Sequence, residues 1–133
     1  MLRHLIRSVP LLLLLPTLGA ADTVNELQSR YRQTAGEPFS AARGESLWHQ
    51  SFPQSGTEAA RSCTLCHGDD LRQPGKHART GKPIEPMAPS VNPARLSDAM
   101  KVEKWLKRNC KWTLGRECTA QEKGDLLTFL QSQ

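Results

Sequence analysis

The chain has 133 residues, of which 23% are charged and 5% aromatic, and it carries a formal net charge of +5. So short a chain is expected to fold as one small domain with a modest core, which excludes a multidomain architecture. The sequence has no β-branched runs and no long stretch of alternating polarity, and this excludes an all-β fold.

The N-terminal residues are predicted to be a secretory signal. Arg3 and Arg7 form a basic start, residues 8–18 are apolar, and Gly19-Ala20-Ala21 supply the small residues that signal peptidase needs. A membrane anchor would need about twenty consecutive apolar residues, whereas this run is shorter and is interrupted by prolines. We therefore expect cleavage after Ala21, which leaves residues 22–133 as the folded domain.

Export changes what the charge and the cysteines imply. Loss of Arg3 and Arg7 lowers the formal net charge from +5 to +3. Nucleic-acid binding is not implied, because an exported protein does not meet nucleic acid. All four cysteines lie after residue 21, and unpaired thiols are not expected in an oxidising compartment. We expect a periplasmic location and a monomer.

Two helices are predicted in the first half of the domain. Thr23 and Glu26 form a capping box at the start of the first, and Gly36 is expected to end it. The second covers residues 41–49, with Leu47 and Trp48 on its apolar side.

Two further helices are predicted near the C-terminus, after loop-rich segments at residues 50–62 and 70–93. Ser97 is expected to cap a helix that ends at about Cys110, and Thr119 and Glu122 form a capping box for the last helix. The segment 70–93 holds too many prolines and glycines for any regular element. The predicted fold class is all-α, with four to five short helices and long loops.

Cys63-Thr64-Leu65-Cys66-His67 is the attachment motif of c-type haem. On one helical turn the two thiols can reach the two vinyl groups of one porphyrin, and the histidine can ligate the iron. A thioredoxin-like pair would need a βαβ setting, and a zinc site would need a second close cysteine pair. Neither is found, since Cys110 and Cys118 are too far apart in the sequence. We therefore predict one covalent haem c.

The segments on either side of the motif resemble class I cytochromes c. Residues 44–48 are similar to the first helix of that family, and residues 125–130 are similar to its last helix. The resemblance implies that Gly44 allows these two helices to cross closely and that the helices wrap around the haem.

The residues alone leave the sixth iron ligand open. Met87 follows Pro86 in a loop after the haem motif and offers a soft thioether. Asn109 shares a helical face with Val102 and Leu106 and is expected to point inward. His49 and His77 are further alternatives.

From Arg61 onward the chain resembles the sphaeroides haem protein family of oxygen-binding monohaem cytochromes c. The shared motifs are Ser62-Cys63-Thr64, Cys66-His67-Gly68, Arg79-Thr80-Gly81-Lys82, Ala88-Pro89-Ser90, Val102-Glu103-Lys104-Trp105-Leu106, Arg108-Asn109-Cys110, Gly115-Arg116, Cys118-Thr119, Glu122-Lys123 and Asp125-Leu126-Leu127. The resemblance implies that Asn109 ligates the iron, with Met87 as the alternative, and that Cys110 and Cys118 form a disulfide. Such a bond would contribute about 2–3 kcal/mol in the chain-entropy model.

Other residues are assigned to the cofactor as expectations. Trp105 is predicted to contact the haem. Arg79 and Lys82 are candidates to neutralise a haem propionate; the alternative is that they are ordinary solvated residues of a loop. The helix from residue 97 also has a basic outer side, which is either a solvated face or a docking site for an acidic redox partner. The resemblance suggests a dihaem cytochrome c or a membrane cytochrome b as that partner. The basic residues on the outer side of this helix are Lys101, Lys104, Lys107, Arg108 and Lys111.

An amide oxygen is a weak ligand that should suit ferric iron better than ferrous iron. Reduction is therefore expected to release Asn109 and let a diatomic gas, oxygen or nitric oxide, enter. The alternative is a simple electron carrier with fixed His67 and Met87 ligands. The protein is not expected to be an enzyme, although a minor oxygen or nitric oxide reductase activity is a third hypothesis.

Overall fold

The computed structural model describes residues 19–57 and 59–133, in which five α-helices and two small antiparallel hairpins occur. The basic start and apolar run of the predicted signal lie outside these residues. The helices are α1 (Ala20–Tyr31), α2 (Ala41–His49), α3 (Thr64–His67), α4 (Ala99–Leu114) and α5 (Ala120–Gln131). None of these helices is both long enough and apolar enough to cross a membrane.

Helix α2 has the predicted bounds, with Ser40 as its N-cap, and α5 opens with the predicted capping box of Thr119 and Glu122. Helix α1 differs from its prediction. It begins one turn earlier, after Gly19, and no side chain caps it. Thr23 cannot act as the cap because it lies inside the helix and is buried.

Helix α4 is longer than predicted at its C-terminal end. Asp98, rather than Ser97, accepts the capping hydrogen bond from the Lys101 amide, and the helix continues past Cys110 to Leu114. Buried Thr113 extends its inward face, and Gly115 ends it in the left-handed conformation with φ at +77°. Asn109 therefore lies inside the helix rather than at its end.

The two loop-rich segments contain short strands that the sequence did not predict. Strands β1 (Phe52–Pro53) and β2 (Ala60–Arg61) pair in the first, and β3 (Gly75–Lys76) and β4 (Pro83–Ile84) pair in the second. A two-residue ladder is too short to show a period-two pattern. Pro83 is tolerated because a two-stranded ladder has only edge strands.

The core lies where α2 and α1 pack against α5. A Cβ atom built on Gly44 would lie 2.1 Å from the Asp125 carbonyl oxygen, so only glycine permits this approach. The prediction for Gly44 is confirmed. Beside the crossing, the buried Asp125 carboxylate accepts hydrogen bonds from the Arg43 guanidinium at 2.8 and 3.0 Å and from the Ser40 amide at 2.7 Å. These bonds join α2 to α5.

Candidate haem site

The attachment motif forms the predicted helical turn. The amides of Cys66 and His67 both donate to the Cys63 carbonyl, at 3.3 and 3.1 Å, and Gly68 ends α3 with φ at +72°. This geometry places two cysteines and the histidine on consecutive parts of one turn. Cys110 and Cys118 are disulfide-bonded, which leaves Cys63 and Cys66 as the two cysteines available for haem attachment. The predicted disulfide is thus present.

The chemical state of these donors fits haem attachment. Burial, with a contribution from nearby Arg95, lowers the pKa of His67 to about 4, so the imidazole is neutral and its nitrogen can bind iron. Burial and the neighbouring Cys66 raise the pKa of Cys63 to about 11. Zinc has no such support, because the described residues contain no cluster of three or more potential ligands.

Two buried polar atoms beside the motif lack hydrogen-bond partners among the described residues: Trp48 Nε1 and His67 Nδ1. Their rings are in contact, with centroids 5.3 Å apart. A buried donor without an acceptor is costly. The propionate carboxylates of a haem are acceptors of the kind that a buried indole N–H needs, so the site fits a haem here too.

The hairpin formed by β3 and β4 packs against the attachment turn. The Ala78 amide donates to the Cys66 sulfur at 3.3 Å, and a Cβ atom on Gly75 would lie 2.3 Å from the Cys66 carbonyl oxygen. Arg79 and Lys82 lie at the exposed tip of this hairpin. His77 holds the tip, since its Nδ1 accepts from the Arg79 and Thr80 amides at 3.3 and 3.2 Å.

The loop carrying Met87 is tied to the segment that follows His67. The amides of Met87 and Ala88 both donate to the Leu71 carbonyl at 2.9 Å. Arg95 donates to the Pro86 carbonyl at 2.8 Å, and the same guanidinium contributes to the lowered pKa of His67. This loop is therefore held on the His67 side of the site. The Met87 side chain packs against the core cluster.

Asn109 lies on α4, a separate element from the attachment turn. Its side chain is exposed, as is that of Trp105 one turn earlier, which is 48% exposed. The inward orientation expected for Asn109 is thus wrong for the polypeptide. Val102 and Cys110 form the buried face, and Asn109 lies at its margin. Arg108 covers Trp105, with its guanidinium carbon 5.0 Å from the ring centroid.

Sequence reasoning missed three side chains near the site. Arg95 fixes the Met87 loop, Trp48 contacts His67 rather than serving only as a core residue, and Arg61 reaches the end of α4. Each acts through contacts between distant segments, for which helical periodicity carries no signal.

The chain is similar to known haem proteins along most of its length. Residues 34–130 match the family described as a domain of unknown function, DUF1924. The chain is 44% identical over 118 residues to the cytochrome c-type protein SHP of Cereibacter sphaeroides, covering 89% of this chain and 90% of that protein. It is 36% identical over 122 residues to cytochrome c'' of Methylophilus methylotrophus, covering 85% and 83%.

Solved structures agree with this relationship. Oxidized SHP, described as an oxygen-binding cytochrome c, superposes with a TM-score of 0.73 at 44% identity, over 83% of this chain and 96% of that one. Oxidized cytochrome c'' superposes with a TM-score of 0.74 at 28% identity, over 86% and 94%. A solution structure of cytochrome c'', whose description concerns haem-ligand detachment, gives 0.71 at 28% identity, over 86% and 93%.

The all-α fold, the attachment turn and the disulfide are those that the sequence predicts for a c-type cytochrome. The long matches to SHP and cytochrome c'' extend the agreement beyond the motif. The chain therefore belongs to the SHP family of c-type cytochromes and carries one covalently bound haem c.

Proposed function

We propose that this protein is a periplasmic electron-transfer cytochrome whose distal ligand, Asn109, is released on reduction so that a small diatomic gas can bind. When bound, the haem supplies a reversible one-electron site and a coordination position for that gas. Cys63 and Cys66 hold it through thioethers, and neutral His67 is the proximal ligand. Arg79 and Lys82 are proposed to neutralise a propionate.

The observation that carries the proposal is the placement of the two rival ligands on different elements. A sixth ligand would have to come from an element that is not held against the segment carrying His67. The Met87 loop is bonded to the segment after His67 and to Arg95. Asn109 instead lies on α4, exposed beside Trp105. This arrangement favours Asn109.

The chemistry of the amide supports release on reduction. The Asn109 oxygen is a neutral, hard donor, which prefers ferric to ferrous iron. Once released, its N–H group can donate a hydrogen bond to the incoming gas. One relative, SHP, is described as an oxygen-binding cytochrome c, and another, cytochrome c'', in connection with haem-ligand detachment.

Spectra of matched variants test the proposal. Asn109→Ala should turn the ferric protein high-spin or water-ligated while ferrous protein still binds carbon monoxide. Met87→Leu replaces the rival ligand, in the loop bonded to Leu71, with a side chain of similar volume that cannot bind iron. It should leave both spectra as in wild type. If Met87→Leu removes the low-spin ferric signal and Asn109→Ala keeps it, the protein is an ordinary carrier with His67 and Met87 ligands.

Export is proposed because haem c is attached outside the cytoplasm and the N-terminal residues have the features of a signal. Helix α1 begins at Ala20, so the expected cleavage after Ala21 removes only its first residues. N-terminal sequencing of protein recovered from the periplasm should begin at Asp22. Recovery of the intact N-terminus would contradict cleavage.

A further inference from the structure

The hairpin of β1 and β2 holds the last turn of α4 through two side chains. Arg61 Nη1 donates to the Trp112 carbonyl at 2.8 Å, and the Arg61 guanidinium carbon lies 4.4 Å from the centroid of the Trp112 ring. Gln54 Nε2 donates to the Thr113 carbonyl at 3.1 Å and to the Phe52 carbonyl at 2.9 Å. One segment thus contacts α4 through hydrogen bonds and a cation–π contact.

These hydrogen bonds pair backbone carbonyls at the C-terminal end of α4. The last four carbonyls of an α-helix have no partner within the helix. In α4 two of these groups, on Trp112 and Thr113, are satisfied by the hairpin. The final turn is therefore fixed relative to another segment rather than fraying into solvent.

The position of the contact along the chain connects the two sides of the haem site. Arg61 precedes Cys63 by two residues, and Trp112 follows Asn109 by three. On a helix, residues three apart are neighbours on the surface. The Cys110–Cys118 disulfide ties α4 to the segment before α5 instead. Among the described residues, Arg61 and Gln54 make the side-chain hydrogen bonds between the hairpin and α4.

We propose that Arg61, assisted by Gln54, is a positioning residue that sets how firmly Asn109 is held at the distal face. This contact, the Arg61 clamp, joins the segment that carries the covalent haem to the helix that carries Asn109. Weakening it lets the end of α4 move relative to the attachment turn and makes release of Asn109 easier. The proposal rests on the proposed role of Asn109.

Arg61→Lys tests the clamp because it keeps the charge but removes the planar group that stacks on Trp112 and fixes the hydrogen bond. In this variant the ferric low-spin fraction should fall, and azide, which must displace Asn109, should bind the ferric protein faster by roughly threefold to tenfold. Amide hydrogen exchange should also quicken in residues 110–114. Arg32→Lys is the matched control, since Arg32, which directly follows α1, also covers an aromatic ring, that of Phe39, at 5.7 Å.

A second background separates positioning from a general loss of structure. In Asn109→Ala protein, adding Arg61→Lys should change neither the ferric spectrum nor the rate of azide binding to the ferric protein. The proposal would be overturned if Arg61→Lys had the same effect in the wild-type and Asn109→Ala proteins, or no effect in either protein. If Arg61→Lys does not fold, Gln54→Leu replaces it in the same pair of measurements. A silent Asn109→Ala would instead refute the proposed function.

Discussion

Cys63 and Cys66 lie on one turn but in different surroundings. Cys63 packs against the core cluster, and burial raises the pKa of its thiol to about 11. Cys66 faces the β3–β4 hairpin, where its sulfur accepts from the Ala78 amide. Thioethers at these two cysteines would therefore anchor the haem to different parts of the protein, one to the core and one to the hairpin.

Removing the cysteines one at a time should show both anchors. The denatured Cys63→Ala and Cys66→Ala proteins should each retain haem through one thioether, with absorption bands shifted to longer wavelength because one vinyl group stays conjugated. The double variant should release its haem into acidified organic solvent. Ser62→Ala serves as the neighbouring control. Haem that stays attached in the double variant would contradict attachment at these residues.

Glu103 joins three helices through a partly buried network. It accepts from the Tyr31 hydroxyl at 2.5 Å and from the Lys123 ammonium at 3.0 Å, linking α4 to α1 and α5. Burial works to raise the pKa of Glu103, but hydrogen bonds from Tyr31 and Lys123 outweigh it and the net pKa is lowered. Burial and the Glu103 carboxylate in turn raise the pKa of Tyr31.

A carboxyl group whose pKa is lowered in the folded state stabilises the fold at pH values above its ordinary pKa of 4.5. This contribution is lost as the pH falls through the lowered pKa of the folded state. Glu103→Gln should therefore lower the free energy of unfolding at pH 7 by about 1–2 kcal/mol. The loss relative to wild type should shrink toward pH 3. Denaturant titrations of the holoprotein at both pH values measure this. Glu117→Gln, which disturbs an exposed pair with Lys111, is the control and should change little. A constant difference at both pH values would rule out the titration of Glu103 as the cause.

At the level of elements, the crossing of α2 and α5 depends on the missing side chain at Gly44. In Gly44→Ala, the new methyl group would meet the Asp125 carbonyl oxygen at 2.1 Å and its carbon at 2.6 Å. Backbone atoms cannot turn away as a flexible side chain can, so the helices must separate. We expect a loss of about 2–3 kcal/mol, measured by denaturant or thermal unfolding of the holoprotein.

Gly36→Ala is the matched control for this prediction, because nothing lies within 4 Å of a Cβ atom built there. Its unfolding midpoint should stay near that of wild type or rise slightly. If both variants lose the same stability, the close crossing would not explain the loss at Gly44.

The elements show which parts of the fold local sequence can specify. The capping box of Thr119 and Glu122 and the periodicity of residues 41–49 are local signals, and both predictions are confirmed. The similar box at Thr23 fails, because burial of Thr23 in the core overrides a capping role that it could otherwise fill. Strands β1 to β4 are held by pairing across a hairpin and by contacts such as that of Arg61 with α4. Such contacts leave no trace in residue periodicity, so the loop segments and the clamp could not be predicted.

On the scale of the whole molecule, the outer side of α4 combines positive charge with an exposed apolar residue. Lys107 and Lys111 share Glu117, at 3.7 and 3.1 Å. Lys101 and Lys104 have no acidic partner among the described residues. Met100, one helical turn before Lys104, is 83% exposed. Unpaired charges around an apolar contact suit a transient electron-transfer partner with an acidic surface.

Docking through this side predicts that Lys101→Glu with Lys104→Glu slows reduction by an acidic electron donor. The reason is that a surface charge mainly affects the rate of encounter, which steering by opposite charge raises. The rate should fall roughly tenfold at low salt, and the difference should fade at about 1 M salt, where the Debye length is about 3 Å. Stopped-flow reduction across ionic strength measures both effects. Arg30→Glu with Arg32→Glu, at the C-terminal end of α1, changes the net charge equally and should slow reduction far less. Equal slowing by both pairs would show that net charge alone matters, and unchanged rates would mean that the basic side of α4 is only solvated.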